Sequence, residues 1–372
     1  MAYIMESELG AQTIINSKMV DYYGGCAYLG FQVHPEVIHA ACEATKKYGI
    51  SSATSTAGFG NNPVLIDLEE KISMFFETQG VLHYASGCLG NFIMVEGLKN
   101  DYDIIFVDSQ SHYSIKNATS LVQKREIEFK HLDAEDLKAK LHEHLQPSQR
   151  PMIICDGIFP VSGEISPVAE YVEVLKDIEG AIICLDDAHA TGVIGEKGFG
   201  TFEYFGLEGP NLYTAGVFSK ALGGHGGVIV GKEDFIKKLK KNSALANACS
   251  STPIPAAAAT AKALEILHNH PEMRIKLWEN TLYAKKGFRD MGFKLENTPV
   301  PIICLSRNEN SKGPLQCERI QKELFERDIA VTYVPGGGYT SVPPTGALRI
   351  SIFCSHSHDQ IDHLLHEIKL LI

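Results

Sequence analysis

Between residue 81 and about residue 232, short apolar runs alternate with longer stretches in which apolar residues recur every three or four positions. Ile104 to Val107, Met152 to Cys155, Ala181 to Leu185 and Val228 to Val230 are continuously apolar, the pattern of strands covered on both faces of a parallel sheet. Glu135 to His144 and Val168 to Ile178 carry helical spacing between them. This rhythm predicts βαβ units and an α/β domain with a large, doubly wound, mainly parallel sheet over residues 51–270. From Pro271 the order changes to a helix as far as Met291, a strand Ile302 to Leu305, a helix Leu315 to Arg327, strands Ile329 to Tyr333 and Leu348 to Ile352, and a last helix. Ser357 opens that helix, with Gln360 at the spacing of a capping box. Residues 271–372 therefore predict a smaller α+β domain. Residues 1–50 hold one clear helix, Pro35 to Tyr48, and are expected to pack with that small domain.

Composition narrows the class of partner. The 372 residues include 34 Lys and Arg against 45 Asp and Glu, a formal charge of -11 that disfavours a polyanion such as nucleic acid. With 44% hydrophobic and 21% charged residues, the chain is rich enough in apolar positions for a large core. No apolar run reaches the roughly 20 residues that cross a bilayer, so membrane insertion is not expected. The first residues show neither a basic nor an apolar leader region, and nine cysteines form no C-x-x-C pair. These features predict a reducing, cytoplasmic setting, without a disulfide framework and without a metal site.

Ligands of open parallel sheets bind beyond the carboxyl ends of strands, so polar residues directly after apolar runs are the first candidates. Asp186 and His189 follow Ala181 to Leu185: a carboxylate in a dry cleft can pair with a protonated ring nitrogen, and a histidine three residues on can reach the same ligand. A capping aspartate beside a surface histidine reads the same segment equally well. Lys220, in FSKALGG, follows an apolar approach and precedes glycines that allow a tight turn. A semi-buried lysine loses its charge readily, as Schiff-base chemistry requires, although an isolated lysine is ordinarily just solvated. The run Ser86 to Asn91 precedes a helical stretch, Phe92 to Leu98, and its Gly87 and Gly90 leave backbone N–H groups open to a phosphate, although small residues also start helices for packing reasons. His112 follows Ile104 to Val107, where a ring can stack on a planar cofactor. Taken together, these are the parts that pyridoxal 5'-phosphate requires.

Their order resembles the fold-type-I pyridoxal-phosphate enzymes of the α-oxoamine synthase group. The blocks that carry the resemblance are GNNPVLIDLEE (Gly60 to Glu70), DGIFPVSGEISP (Asp156 to Pro167), LDDAHATGVIGEKGFG (Leu185 to Gly200) and FSKALGGHGG (Phe218 to Gly227). The likeness extends from Asp21 to Asp362, and the DDAHATGVIGE run is closest in wording to the oxononanoate synthases of the group. The resemblance implies that Lys220 anchors the cofactor and moves the Cα proton, Asp186 keeps the pyridine nitrogen protonated, His189 bonds the 3-oxygen and His112 stacks on the ring. It implies phosphate binding by Gly87 and Cys88, with Ser219 and Ser251 as hydroxyl candidates from two subunits of a homodimer. It also implies that Arg349 grips the amino-acid carboxylate through its planar fork. The implied reaction joins an amino acid to an acyl thioester of coenzyme A or a carrier protein, with loss of carbon dioxide. Alanine with a pimeloyl donor is the leading case; glycine or serine with a short or fatty donor, or aminotransfer, are the alternatives.

Several positions depart from the group's pattern. Thr56 stands for an arginine, Asn62 and Leu65 for two histidines, Pro160 for a serine, Val217 for a threonine and Cys88 for an aromatic residue. The segment ahead of the first strand block is also short. These changes bear on substrate more than on cofactor.

Overall fold

The computed structural model describes residues 2–307, 315–337 and 342–372. By contacts it divides into two compact units, one made of the chain up to His34, Pro160–Glu164 and the chain from His270 onward, the other of Pro35–Phe159 and Ile165–Asn269.

The smaller unit begins with a hairpin, β1 (Gln12–Ile15) and β2 (Lys18–Tyr22), in which Gln12 faces Asp21. The larger unit then contributes seven strands: β3 (Gly80–Tyr84), β4 (Ile104–Asp108), β5 (Arg125–Phe129), β6 (Pro151–Asp156), β7 (Ile182–Asp187), β8 (Leu212–Val217) and β9 (Gly227–Gly231). They lie in the order β3-β9-β8-β7-β6-β4-β5. β4 to β8 form a continuous parallel ladder, whereas β9 runs antiparallel to both β8 and β3. The sheet is thus mixed, and the expectation that Val228 to Val230 joins a parallel set is corrected. No helix separates β8 from β9, and a connection too short for a crossover reverses the chain.

The apolar runs are continuous because both faces of the sheet are dry. Ile105, Val107, Met152, Ile154, Ile182 and Cys184 pack on one face with Ile93, Met94 and Ile115. Their neighbours Ile104, Phe106, Ile153, Cys155, Ile183 and Leu185 pack on the other with Leu137, Leu141, Tyr171 and Leu175. Alternate residues serve opposite faces, and the buried area on each supplies the main driving force for this unit.

The smaller unit resumes with β10 (Ile302–Leu305), β11 (Ile329–Ala330), β12 (Thr332–Val334) and β13 (Ala347–Ser351). β13 lies between β10 and β12, antiparallel to both, and β11 adds in parallel to β2. The expected strand Ile329 to Tyr333 is therefore two strands in two sheets. Helices Glu272–Asp290, Cys317–Glu326 and His358–Leu371 contribute Phe288, Ile320, Leu324, Ile361 and Leu364 to a core with Ile303, Leu305, Leu348 and Ile350. The capping box of Ser357 and Gln360 forms as expected.

The expected segment 1–50 is divided. Helix Pro35–Tyr48 belongs to the larger unit, where its Ala44 packs against Ile254 and Ala258 of helix Ile254–Asn269. Its narrow small-residue face suits close helix packing, which the amphipathic pattern alone does not direct to either unit. Pro160–Glu164 leaves the sequence of the larger unit for the smaller one, where Gly163, at φ 75°, lies against Ile302 so closely that a Cβ would come within 2.6 Å of its carbonyl oxygen.

Candidate active site

The carboxyl ends of β4, β6, β7 and β8 share one edge of the parallel ladder, and each ends in polar chemistry: Asp108, Asp156, Asp186 with Asp187, and the turn carrying Ser219 and Lys220. Asp186 is the penultimate residue of β7, and the turn after it brings His189 back over the strand end. The Lys220 Nζ lies 2.9 Å from His189 Nε2. His189 and Asp186 are buried, and Lys220 is half-buried.

Both oxygens of Asp186 accept N–H donors, Oδ1 from the backbone of Ala188 at 3.0 Å and Oδ2 from the side chain of Asn91 at 2.6 Å. Asn91 also donates to the Ser114 hydroxyl at 3.0 Å, and that hydroxyl lies 2.6 Å from Nδ1 of His112. His112 is the N-cap of helix Tyr113–Ser120, its Nδ1 accepting from the Ser114 backbone, and its own backbone N–H donates to Asp156 at 2.8 Å. Burial holds the imidazole of His112 below its usual range; the Asp186 charge opposes this and the Lys220 charge adds to it. Burial, aided by the Asp186 charge, pushes the Asp156 carboxyl well above the usual carboxylate range. Asp187 faces away to hold the Thr201 backbone and hydroxyl, and burial raises it to about 6.

Gly87 and Cys88 lead directly into helix Leu89–Gly97, one turn earlier than expected. Two glycines here are required by packing against β8 and β3. A Cβ on Gly87 would come within 2.6 Å of Val217, and one on Gly90 would collide with Tyr84 and Ala215. Cys88 is exposed, with Sγ 3.7 Å from the Tyr113 hydroxyl.

Lys220 and His189 are thus in direct contact, Asp186 and His112 are linked through Asn91 and Ser114, and Gly87, Cys88 and Ser219 lie on adjoining turns. Ser251 is not part of that set; its hydroxyl lies 3.2 Å from that of Ser52. Asn91, Ser114 and Asp156 were missed by sequence reasoning. Asp156 follows an apolar run just as Asp186 does and was detectable by the same signal. Nothing in the sequence singles out Ser114.

The departures have structural roles of their own. Asn62 caps helix Pro63–Phe75 by accepting the Val64 N–H at 2.9 Å, Leu65 lies in the core, and Thr56 is exposed. Pro160 presents its carbonyl to Arg349 within the smaller unit. Arg349, on β13, is 7% exposed, and every face of its fork is engaged: Nε to Pro160 O at 2.7 Å, one NH2 group to Gly25 O and the Ser351 hydroxyl at 3.0 and 2.8 Å, the other to the Tyr28 hydroxyl and Cys26 Sγ at 3.3 and 3.6 Å. The last two are its longest contacts.

Among the described residues, no group of three or more His, Cys, Asp or Glu is placed to hold a metal ion, and no helix is long and apolar enough to cross a membrane.

The family model described as aminotransferase class I and II matches residues 26–368. A serine palmitoyltransferase of Sphingobacterium spiritivorum is 32% identical over 364 residues, spanning 98% of this chain and 89% of the relative. An 8-amino-7-oxononanoate synthase of Thermoanaerobacter pseudethanolicus is 31% identical over 363 residues, spanning 97% and 90%. The solved serine palmitoyltransferase of Sphingomonas wittichii superposes with a TM-score of 0.91 at 27% identity, covering all of this chain and 92% of its own. The donor set described above suits the same chemistry: an amine held beside an imidazole, a dry carboxylate that accepts N–H bonds, and a glycine-lined turn at a helix start fit an aldehyde, a pyridine nitrogen and a phosphate. The chain belongs to the aminotransferase class I and II family and is, within it, a pyridoxal-phosphate-dependent acyltransferase of the α-oxoamine synthase group.

Proposed function

We propose that the enzyme condenses L-alanine with a pimeloyl thioester, with loss of carbon dioxide, to form 8-amino-7-oxononanoate for biotin synthesis. The observation that carries the chemistry is the Lys220 amine 2.9 Å from His189 at the strand ends that also present Asp186. The choice of substrates is supported by relatives named 8-amino-7-oxononanoate synthase at 30–32% identity over nearly the whole chain, and by the DDAHATGVIGE wording. A second reading, serine with a fatty acyl thioester, is favoured by the serine palmitoyltransferase relative at 32% identity.

Bound pyridoxal phosphate supplies an electron sink for the charge left at Cα when its proton departs. Lys220 would anchor the cofactor covalently, and its amine would take the Cα proton of the amino acid and later return one. His189 orients the Lys220 amine and donates to the cofactor's 3-oxygen. Asp186 retains the proton on the pyridine nitrogen, and His112 covers the ring. The backbone of Gly87 and Cys88 holds the phosphate, with hydroxyls from Ser219 and, from a second copy of the chain, Ser251. Arg349 receives the amino-acid carboxylate by exchanging its long contacts to Tyr28 and Cys26 for two short charged ones. The amino acid and the acyl thioester together would give the aminoketone, carbon dioxide and the free thiol. The enzyme works as a cytoplasmic homodimer, with coenzyme A or a carrier protein bearing the acyl group.

Thiol release by the cofactor-loaded enzyme, measured for alanine, glycine and serine against pimeloyl, acetyl and palmitoyl thioesters, tests this assignment. Release confined to alanine with pimeloyl supports it, and release confined to serine with palmitoyl selects the second reading. Silence in every combination, with amino acids still changing the cofactor's absorption, replaces acyl transfer by aminotransfer.

A further inference from the structure

Asn91 is fully buried on helix Leu89–Gly97, and Ser114 is buried on helix Tyr113–Ser120. Neither touches the groups expected to react, yet together they join two that are expected to address the cofactor ring. Asn91 spends both N–H donors of its amide here, one on Asp186 at 2.6 Å and one on the Ser114 hydroxyl at 3.0 Å. The hydroxyl accepts that bond and has its own proton to give to Nδ1 of His112, 2.6 Å away. The same Nδ1 accepts the Ser114 backbone N–H at 3.2 Å, so the neutral ring carries its proton on Nε2.

The arrangement has a cost that packing alone does not explain. The side-chain oxygen of Asn91 is buried without a hydrogen-bond partner. An apolar residue of similar volume would avoid that loss, so the amide is kept for what its nitrogen does.

We propose that Asn91 and Ser114 are positioning residues: their hydrogen-bonded bridge ties the ring of His112 to the carboxylate of Asp186, so that both address pyridoxal phosphate as one unit. The proposal rests on the assignment of Asp186 and His112 to the cofactor. Asn91 fixes the direction of the carboxylate, and Ser114 fixes the tautomer and plane of the imidazole. A chain of bonds that all donate in a fixed sense is also more rigid than its separate members.

Asn91→Leu keeps the bulk and removes both donors, while Ser114→Ala cuts the bridge only at His112. Each is compared with the parent and with Lys220→Ala by visible absorbance, which reads both the dissociation constant for pyridoxal phosphate and the pH titration of the bound chromophore. Asn91→Leu is expected to weaken cofactor binding about ten-fold, the effect of losing a hydrogen bond to a charged group, and to move the titration midpoint. Ser114→Ala is expected to move the midpoint while affinity stays within about three-fold. Variants that bind and titrate like the parent overturn the bridge and leave the cofactor assignment standing. A parent without a visible band that vanishes in Lys220→Ala overturns the assignment itself. If Asn91→Leu does not fold, the Ser114→Ala midpoint decides, and an unchanged one overturns the proposal.

Discussion

Asp156 and Asp186 stand directly opposite one another on β6 and β7, two buried carboxyl groups with contrasting partners. Asp186 receives side-chain and backbone N–H donors, whereas Asp156 receives the His112 backbone N–H and is pushed well above the usual carboxylate range by burial and by its neighbour's charge. An amide is therefore a good substitute at one position and a poor one at the other. Asp186→Asn is expected to retain cofactor but lose turnover by about a hundred-fold or more, because an amide cannot hold the ring nitrogen protonated. Asp156→Asn should keep turnover within about ten-fold. A carboxyl whose folded value lies above its unfolded value contributes stability that is complete at low pH and lost as pH rises toward the folded value. Urea unfolding should consequently show Asp156→Asn gaining on the parent between acid and neutral pH, and no gain would mean that Asp156 is ionised in the folded enzyme.

Gly87 leaves no room for a side chain beside Val217. Gly87→Ala is expected to displace the turn before helix Leu89–Gly97, costing about 1–3 kcal/mol of stability. Cofactor affinity should fall with it. Val217→Ala removes the two methyl groups concerned and should restore most of that affinity in the double variant. A double variant no better than Gly87→Ala would show that the clash is not what matters.

His83, on β3, has its ring 3.4 Å from the Thr252 hydroxyl and 3.6 Å from Glu69. Burial, helped by the Lys240 charge, lowers it to about 4. The folded ring stays neutral where the unfolded one is charged, so its contribution is complete above the unfolded value near 6.5 and lost as pH falls toward about 4. His83→Gln should lose about 2 kcal/mol less than the parent between pH 7.5 and about 4.5. Parallel denaturation profiles for the two proteins would contradict this.

Arg349→Lys replaces five forked donors with three on a point charge. It leaves carbonyls of Pro160 or Gly25 unsatisfied, and about 1–3 kcal/mol of stability should be lost. If the arginine also receives the amino-acid carboxylate, KM for the amino acid should rise more than kcat falls. An unchanged KM would confine Arg349 to a structural role.

The candidate site residues are legible because each follows an apolar run, and a strand covered on both faces announces its own end. Lys220, Asp186, His189 and His112 all satisfy that local rule. Asn91 and Ser114 do not, because their importance arises only where two helices and a strand end meet, a relation no spacing encodes. β5 escapes the apolar-run rule because its exposed positions Arg125, Glu126 and Glu128 break the apolar pattern of a strand at the sheet edge. β9 was found but misdirected, since an apolar run reports burial and says nothing about direction. Two of the partners that engage Arg349 are backbone carbonyls, of Pro160 and Gly25, whose positions depend on the fold and leave no mark on residue type.

The pairing of β2 with β11 has a further consequence for how the chain comes into being. Asp21 and Tyr22 pair with Ile329 and Ala330, so this ladder cannot be completed until all of the chain between them has been made. The larger unit closes its sequence at Asn269 and can assemble earlier. While the larger unit is being made, the hairpin of β1 and β2 therefore keeps an open edge, and that interval is one in which it can mispair.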